Sequence, residues 1–546
     1  MRLRTACDRC RCRKRQCNST EDGGPCVSCQ SRGLPCSITI LDAPYVPQIG
    51  DIRSEEQTSP ANGSTISASS SLFVEDILRN ELVDLYFKLI HDKQHSLFHP
   101  PTFIASVYEG RAPMFLVFAI ISLAARFSEN PYFHGTDPWS RGRAWAEESI
   151  RLFDRRTTPI SIEALQACSL LLHISFIEGD METESLYGAL AIRMAQRLEL
   201  PKVLSMDRVE REVQIRLWWT TWSMDNWSSA GARHPKQLHL EPSYPKPMDD
   251  LSFELLKPGP VDFEKERRIE DVILERESSL WAQMIPLTDM ISQIEELHEL
   301  TVRDPSNDID IYKKATLLAH RLDSWLLRLP EGLKNTPENF KRYHQLGHGR
   351  TFVWLHLHYH HHSQLLYYQF LHYDPKSTPD PIMRYTYANR CKEHAKHLSS
   401  LLWTANSTLN CECVWVVTGH LLVISSSVHL HTLLFATNDQ QIEEAKQFLK
   451  QNFEMLIRLR KYWPLLDLSL SRLQVFHEAC RKNMNTSFRM DNWMLQFLQR
   501  YTRPCAWKDS EPIEETPVDW SPSSHETQGY IHHLTTGSEI LNRFLV

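Results

Sequence analysis

The sequence predicts a mainly α-helical protein in which a small cysteine-rich head, a flexible linker and a large all-helical domain follow one another. Seven of the thirteen cysteines lie within the first 36 residues, a stretch rich in serine, threonine and proline follows, and apolar side chains then recur at helical spacing. We therefore divide the 546 residues into a head (1–40), a linker (41–71), a helical domain (72–503) and an acidic tail (504–546) that we expect to be disordered.

The head carries a repeated cysteine spacing. When Cys12 is left aside, the other six cysteines follow the pattern C-x2-C-x6-C-x8-C-x2-C-x6-C, so two halves share the same gaps. Zinc prefers four ligands in a tetrahedron, and thiolate sulfur suits it. Six sulfurs satisfy two Zn²⁺ ions if two thiolates bridge both metals. The predicted zinc ligands are Cys7, Cys10, Cys17, Cys26, Cys29 and Cys36.

Other interpretations of these cysteines explain less. A disulfide framework needs an oxidising compartment, and no export signal is visible at the N-terminus. A single-zinc ribbon through the two C-x2-C pairs would leave the third cysteine of each half without a role. Cys12 lies outside the repeat, and we expect a free thiol beside the cluster, although an oxidation-sensitive or metal-competing role stays open.

Charge is distributed unevenly along the chain. The formal net charge is −7, yet residues 1–40 hold eight basic and only three acidic side chains. A basic head on an acidic body predicts that the head contacts a polyanion. The longest apolar run, 113–125, is shorter than the about 20 residues that span a bilayer, so we expect no membrane contact.

In its cysteine spacing and flanking residues, over 6–17 and 25–36, the head resembles the fungal zinc binuclear cluster family of transcription factors. The resemblance implies that Cys7 and Cys26 are the bridging ligands. It also implies a nuclear protein that binds double-stranded DNA at CGG-type triplets.

The same resemblance assigns roles to the basic residues around Cys10 and Cys17. Arg13 and Lys14 match the positions that read bases in the family, and a basic side chain that donates to guanine O6 and N7 is the commonest specific contact. We expect Arg9, Arg11 and Arg15 to contact phosphates, which positions the head and makes binding salt-dependent.

The region from residue 72 to about residue 503 is predicted to be helical because its apolar residues recur at i, i+3 and i+4. The clearest segments are 115–127, 162–176, 186–200, 213–227 and 352–371. Three stretches (98–103, 189–198 and 216–225) resemble, more loosely, the middle homology domain that follows the cluster in the same family. That resemblance implies a regulatory role: silencing the activator, sensing a small-molecule inducer or binding partners.

The linker and the tail suggest two further features. Residues 37–71 show no heptad repeat, so we expect either binding to a single triplet or a homodimer that forms without a coiled coil. The tail mixes acidic and aromatic residues, which is typical of an activation segment that recruits the transcription machinery. An inert tail, or a segment packed on the helical domain, explains the composition equally well.

Three groups in the helical domain have sharper interpretations. The histidine run could bind metal, but its neighbours favour packed or solvated histidines on an amphipathic core helix. Cys411 and Cys413 are expected to be buried thiols, and the tryptophans are expected to be core rather than a ligand cage. The run comprises His356, His358, His360, His361 and His362, and the tryptophans are Trp218, Trp219, Trp222 and Trp227.

Taken together, the residues and the resemblance predict a transcription regulator, with activator as its expected mode, that controls a metabolic or biosynthetic gene set. The chain shows no P-loop, no dinucleotide-binding fingerprint and no nucleophile–base set, so we expect no enzyme. The alternative is a zinc-headed nuclear scaffold that binds proteins rather than DNA.

Overall fold

The computed structural model describes residues 74–93, 95–153, 158–232, 235–241, 243–262, 279–372, 380–484, 486–506 and 508. The chain divides into two compact units, 1–70 and 71–546, and all described residues belong to the second. The predicted head, the linker and nearly all of the predicted tail lie outside the described residues. The described residues form α-helices and short 3-10 turns without a β-strand, which confirms the predicted fold class.

The α-helices are numbered here in chain order. The first eight are α1 Asp76–Leu89, α2 Pro100–Tyr108, α3 Met114–Ala124, α4 Arg143–Leu152, α5 Ile162–Ile177, α6 Met181–Arg197, α7 Arg208–Ala232 and α8 Asp250–Glu254. The remaining ones are α9 Leu280–Arg303, α10 Asp308–Arg328, α11 Pro337–Gln345, α12 Gly349–Tyr368, α13 Pro381–Asn406, α14 Val417–Phe435, α15 Asp439–Arg460, α16 Leu466–Lys482 and α17 Asn492–Gln499. The 3-10 turns are Ala125–Phe127, Pro131–Phe133, Pro138–Ser140 and Glu331–Leu333.

All five segments predicted from periodicity are largely helical, with differences at their ends. The segment predicted at 115–127 is α3 followed by a 3-10 turn, and the one at 186–200 ends at Arg197. The earlier end has a local cause, because Glu199 adopts a left-handed conformation (φ 54°) that does not continue a right-handed helix.

Several helices begin at residues whose side chains cap them. Ser161, Asp180 and Ser279 each accept a hydrogen bond from a backbone N–H in the first turn of α5, α6 and α9. Thr336 and Asp380 do the same for α11 and α13, and in both helices a proline occupies the first position. These caps satisfy donors that the first turn would otherwise leave unpaired.

The centre of the domain is formed by α12. All twenty of its residues are buried, because α9, α10, α11, α13 and α14 pack around it. The prediction of an amphipathic core helix was therefore wrong in one respect: the helix has no solvated face. A helix surrounded by other helices presents no side to water, so its polar residues must find partners inside the core.

By length and composition, one described helix, α14, is long and apolar enough to cross a membrane. Within the domain, however, 89% of its apolar stretch is buried. Helices α12, α13, α15 and α16 contact it. Its apolar character is thus accounted for by its place in the core.

The last described residues still contact the helical domain. The indole N–H of Trp493 donates to the carbonyl of Ala506 over 2.7 Å. The Lys508 ammonium donates to the carbonyl of Thr486 over 2.9 Å and lies 3.0 Å from the Asp491 carboxylate.

Candidate functional site

The predicted zinc ligands and DNA-contacting residues all lie in residues 1–40, outside the described residues, and so they stay predictions. The helical domain holds a cavity, a set of buried histidines and a buried cluster of charged side chains.

The cavity has a volume of about 70 Å³ and lies where α5, α6, α7, α9 and α12 meet. Five indole side chains from three different helices contribute to its wall. They are Trp219, Trp222, Trp227, Trp281 and Trp354. The first three come from the tryptophan group of α7, whose neighbouring positions in the sequence place them on adjoining turns of one helix.

The prediction that the α7 tryptophans are core residues is confirmed for three of them. Trp218, Trp219 and Trp222 are at most 5% exposed, whereas Trp227 is half-buried. Sequence reasoning missed the cavity that Trp219, Trp222 and Trp227 also line. Its existence depends on Trp281 and Trp354, which reach it from distant parts of the chain.

Two ionisable side chains of opposite charge contribute to the cavity wall. On α6, Glu184 is half-buried and accepts a hydrogen bond from the Ser228 hydroxyl of α7. Burial raises the pKa of Glu184. Before α2, Lys93 donates to the carbonyl of His91, and burial lowers its pKa to about 8 although the neighbouring Asp92 raises it.

Two histidines in the wall are neutral near pH 7. Burial lowers the pKa of His173 and of His358 to about 4. The Nδ1 atom of each lies within hydrogen-bonding distance of a carbonyl one turn earlier, at 2.7 Å from Ser169 and 3.0 Å from Trp354. A carbonyl only accepts, so in each neutral ring Nδ1 carries the proton.

The histidine run on α12 is packed rather than solvated. All five of its side chains are buried. His356 Nε2 lies 2.9 Å from the Leu333 carbonyl, and His360 Nδ1 lies 3.0 Å from His394 Nδ1 of α13. Burial is the main cause of the lowered pKa of every member of the run.

The described parts of the chain contain no group of three His, Cys, Asp or Glu side chains that could hold a metal ion. The i, i+4 histidine pairs of α12 instead contact aromatic neighbours. Trp227, for example, lies with its ring centre 5.9 Å from that of His358 and 6.0 Å from that of His362.

Cys411 and Cys413 are buried, as predicted. Burial raises the pKa of the Cys411 thiol to about 11 and that of Cys413 to about 12. Both side chains are therefore neutral thiols near pH 7, which makes them poor nucleophiles and poor metal ligands.

A cluster around Arg216 was not recognised from the sequence. The Arg216 guanidinium is 1% exposed and donates to Glu212 over 3.1 Å, to Asp250 over 3.1 Å and to the Met248 carbonyl over 2.8 Å. It also lies over the ring of Phe253 at 4.2 Å. These contacts hold α8 and the segment before it against α7. The sequence shows the i, i+4 pair with Glu212 but not the partners that come from residues 248–253.

Comparison with known proteins places this architecture in one class. The fungal Zn(2)-Cys(6) binuclear cluster domain matches residues 5–43, and the fungal specific transcription factor domain matches residues 83–326. The three stretches that resembled a middle homology domain all lie within the second match. The chain belongs to the family of fungal Zn(2)-Cys(6) transcription factors.

Curated relatives agree with this assignment. The chain is 23% identical to the Zn(2)-C6 fungal-type transcription factor FTF1c of Fusarium oxysporum f. sp. lycopersici over 84% of its own length and 52% of the relative. It is 31% identical to an uncharacterized transcriptional regulatory protein of Schizosaccharomyces pombe over 28% of its length and 17% of the relative. The chain thus spans about half of the first relative and less than a fifth of the second. No solved structure matches it significantly.

Proposed function

We propose that the protein is a nuclear, sequence-specific DNA-binding transcription regulator of the RNA polymerase II type that acts at CGG-type triplets. The observation that carries the proposal is the match of the cluster domain to residues 5–43, which contain all six cysteines of the repeat. The regulatory domain of the same family follows it, as the proposal requires. Membership in a transcription factor family also implies a non-enzyme.

The donor set suits two Zn²⁺ ions. Cys7, Cys10, Cys17 and Cys26 would hold one ion, and Cys7, Cys26, Cys29 and Cys36 the other. Six thiolates and two divalent ions leave a net charge of about −2 on the cluster, because four positive charges meet six negative ones. The basic side chains of the head offset this charge, so that the head can approach phosphates.

Two of these basic side chains carry the specificity in this proposal. Arg13 and Lys14 donate to guanine edges in the major groove, while Arg9, Arg11 and Arg15 contact phosphates. The helical domain regulates the output in response to a small molecule and provides the contact between two copies of the chain. The tail, 504–546, contacts the transcription machinery and makes the protein an activator of a metabolic or biosynthetic gene set.

DNA binding by the full chain tests the proposal. We expect two zinc ions per chain by metal analysis and a preference for CGG-containing duplex over a scrambled duplex in fluorescence anisotropy. The substitution Lys14→Ala should weaken specific binding by about 1–3 kcal/mol and leave both zinc ions bound. Arg32→Ala removes one charge from the same head outside the predicted contacts, and it should affect specific binding much less.

Two results would overturn the proposal. If Lys14→Ala and Arg32→Ala have the same effect, or if no duplex is preferred, the base-reading role is wrong. Two bound zinc ions without duplex preference would then favour the zinc-headed scaffold.

The activating role of the tail needs a separate test in cells. Deletion of residues 509–546 should reduce output from a reporter under a CGG-containing promoter and leave duplex affinity unchanged. The deletion keeps Lys508, which contacts Asp491 of the helical domain. Unchanged reporter output would show that the tail is inert.

A further inference from the structure

We propose that the tryptophan-lined cavity of the helical domain binds a small organic cation, an ammonium or quaternary ammonium compound, whose charge faces Glu184. The site lies entirely within the described helical domain. Only its regulatory meaning rests on the proposed function, because ligand binding and DNA binding can be measured separately.

The wall of the cavity favours a cation with apolar substituents. Its five indoles offer electron-rich ring faces, and tryptophan is the aromatic residue that attracts a cation most strongly. Trp219 and Trp222 meet at an interplanar angle of 80° with ring centres 5.5 Å apart. Differently oriented faces can surround a compact ligand from more than one direction. The side chains of Phe176, Met224 and Met284 complete the apolar wall.

The Glu184 carboxylate is the charged group of the wall that has no counterion among the described residues. The only side chain that contacts the Glu184 carboxylate through a hydrogen bond in the described part of the chain is the Ser228 hydroxyl. Burial raises the pKa of Glu184, and no described cation acts against this. Burial and the charges of Glu184 and Glu295 together raise the pKa of Tyr501, another residue of the wall. A bound cation would therefore enter a region of negative potential.

An anionic ligand fits the same cavity less well. The Lys93 ammonium already donates to the His91 carbonyl and lies next to Asp92. Burial alone would raise the pKa of Asp92. The neighbouring His91 and Arg216 nevertheless hold this pKa well below its usual range, so Asp92 is an anion. Lys93 thus has an anionic neighbour, Asp92, that raises its pKa, whereas no described cation lowers the pKa of Glu184. His173 and His358 are neutral near pH 7 and attract neither sign of charge strongly.

The size of the site limits the ligand. A cavity of about 70 Å³ holds about five to seven water-sized groups, since each water occupies roughly 10–15 Å³ of cavity volume. A compact ammonium head with a short polar arm fits that limit. The indole N–H of Trp281 has no hydrogen-bond partner among the described residues.

Choline and 3,3-dimethylbutan-1-ol form a matched pair of probes, because they share shape and hydroxyl and differ in charge. Titration calorimetry on the zinc-loaded full chain should show choline binding at least about tenfold more tightly than the neutral alcohol, a difference of about 1.4 kcal/mol. The substitution Glu184→Gln should remove that preference, because the amide keeps the shape and the acceptor but loses the charge. Glu182→Gln, at an exposed position on the same helix, is the control and should keep it.

Three outcomes would overturn the proposal. The first is that choline binds no better than the neutral alcohol to the unsubstituted chain, a comparison that does not depend on any variant folding. The second is that Glu184→Gln, with an unchanged thermal melt, keeps the full preference for choline. The third is that acetate binds more tightly than choline and loses its affinity in Lys93→Met, which would identify an anion site. Anisotropy with CGG duplex on the same samples separates each of these results from a failure of the proposed DNA binding.

Discussion

In the head, six cysteines are predicted to be thiolates that share two zinc ions, whereas the described cysteines of the helical domain are free thiols, five of them buried. Burial raises the pKa of Cys480 to about 11 and that of Cys413 to about 12. A thiolate needs a cation beside it, while a neutral thiol packs like a small apolar group. The same residue type is thus predicted to contribute to folding through a metal in the head, whereas it contributes through packing in the helical domain.

The contrast extends to the other ionisable side chains of the helical domain. Burial keeps His173, His298, His356 and His358 neutral near pH 7. The buried Arg216 is paired with the carboxylates of Glu212 and Asp250, whereas the buried Arg126 and Arg472 donate to backbone carbonyls. Isolated charge in a core is costly, so a large apolar interior tolerates ionisable groups that are neutral or fully paired. We expect a head of about forty residues to depend on metal binding instead, because a chain of that length buries too little apolar surface to fold in this way.

Removal of zinc should produce the largest difference between the two regions. Treatment with 1,10-phenanthroline should lower the affinity for CGG duplex by about 100-fold or more, because the apo head loses its fold. The melt of the helical domain, followed by circular dichroism at 222 nm, should stay unchanged. A shared loss of both signals would contradict the separation between the two regions.

Breaking the charged cluster should have the next largest effect. Asp250→Asn leaves Arg216 with one buried carboxylate fewer and should reduce the free energy of unfolding in urea by about 3–5 kcal/mol. The same change at Asp76, which pairs with Arg79 at the surface, should alter it by less than about 0.5 kcal/mol. Equal effects at both positions would show that burial of the cluster does not matter.

Acid should destabilise the helical domain through its histidines. The pKa of His173, His298, His356 and His358 is lowered by burial from about 6.5 to about 4. Below about pH 6.5 the unfolded chain takes up protons that the folded domain does not. Stability is therefore complete above pH 6.5 and falls between pH 6.5 and 4, by up to about 1.4 kcal/mol per pH unit for each group.

Urea unfolding at several pH values measures this slope. Relative to the parent chain, His356→Gln should reduce the slope of the unfolding free energy against pH by about the contribution of one histidine. His320→Gln, at an exposed position, should leave it unchanged. A slope that is the same in all three proteins would show that His356 is not held neutral by burial.

The smallest effect is expected from a cysteine of the core. Cys391→Ala removes a buried thiol that donates to the Gln364 carbonyl over 3.3 Å, and it should cost about 1 kcal/mol with both zinc ions retained. Cys17→Ala makes the identical change in the head and should reduce the zinc content and abolish specific DNA binding. Metal analysis and urea unfolding of the two variants compare the regions directly.

The sequence alone determined the features that depend on local spacing. The cysteine repeat marks the cluster within 36 residues, and apolar periodicity located α5, α7 and α12 because helices are set by neighbours three or four positions apart. The head, the linker and the tail were predicted in the same way, and their bounds, zinc ligands and DNA contacts stay predictions.

Only the tertiary structure decided what depends on distant partners. The cavity brings Glu184, Trp281 and Trp354 together from three helices, and Arg216 finds Asp250 across 34 positions. The loss of a solvated face on α12 follows from five surrounding helices rather than from its own residues. Local spacing fixes which side chains share a helix face, but burial, pairing and ionisation are set by whatever packs against that face.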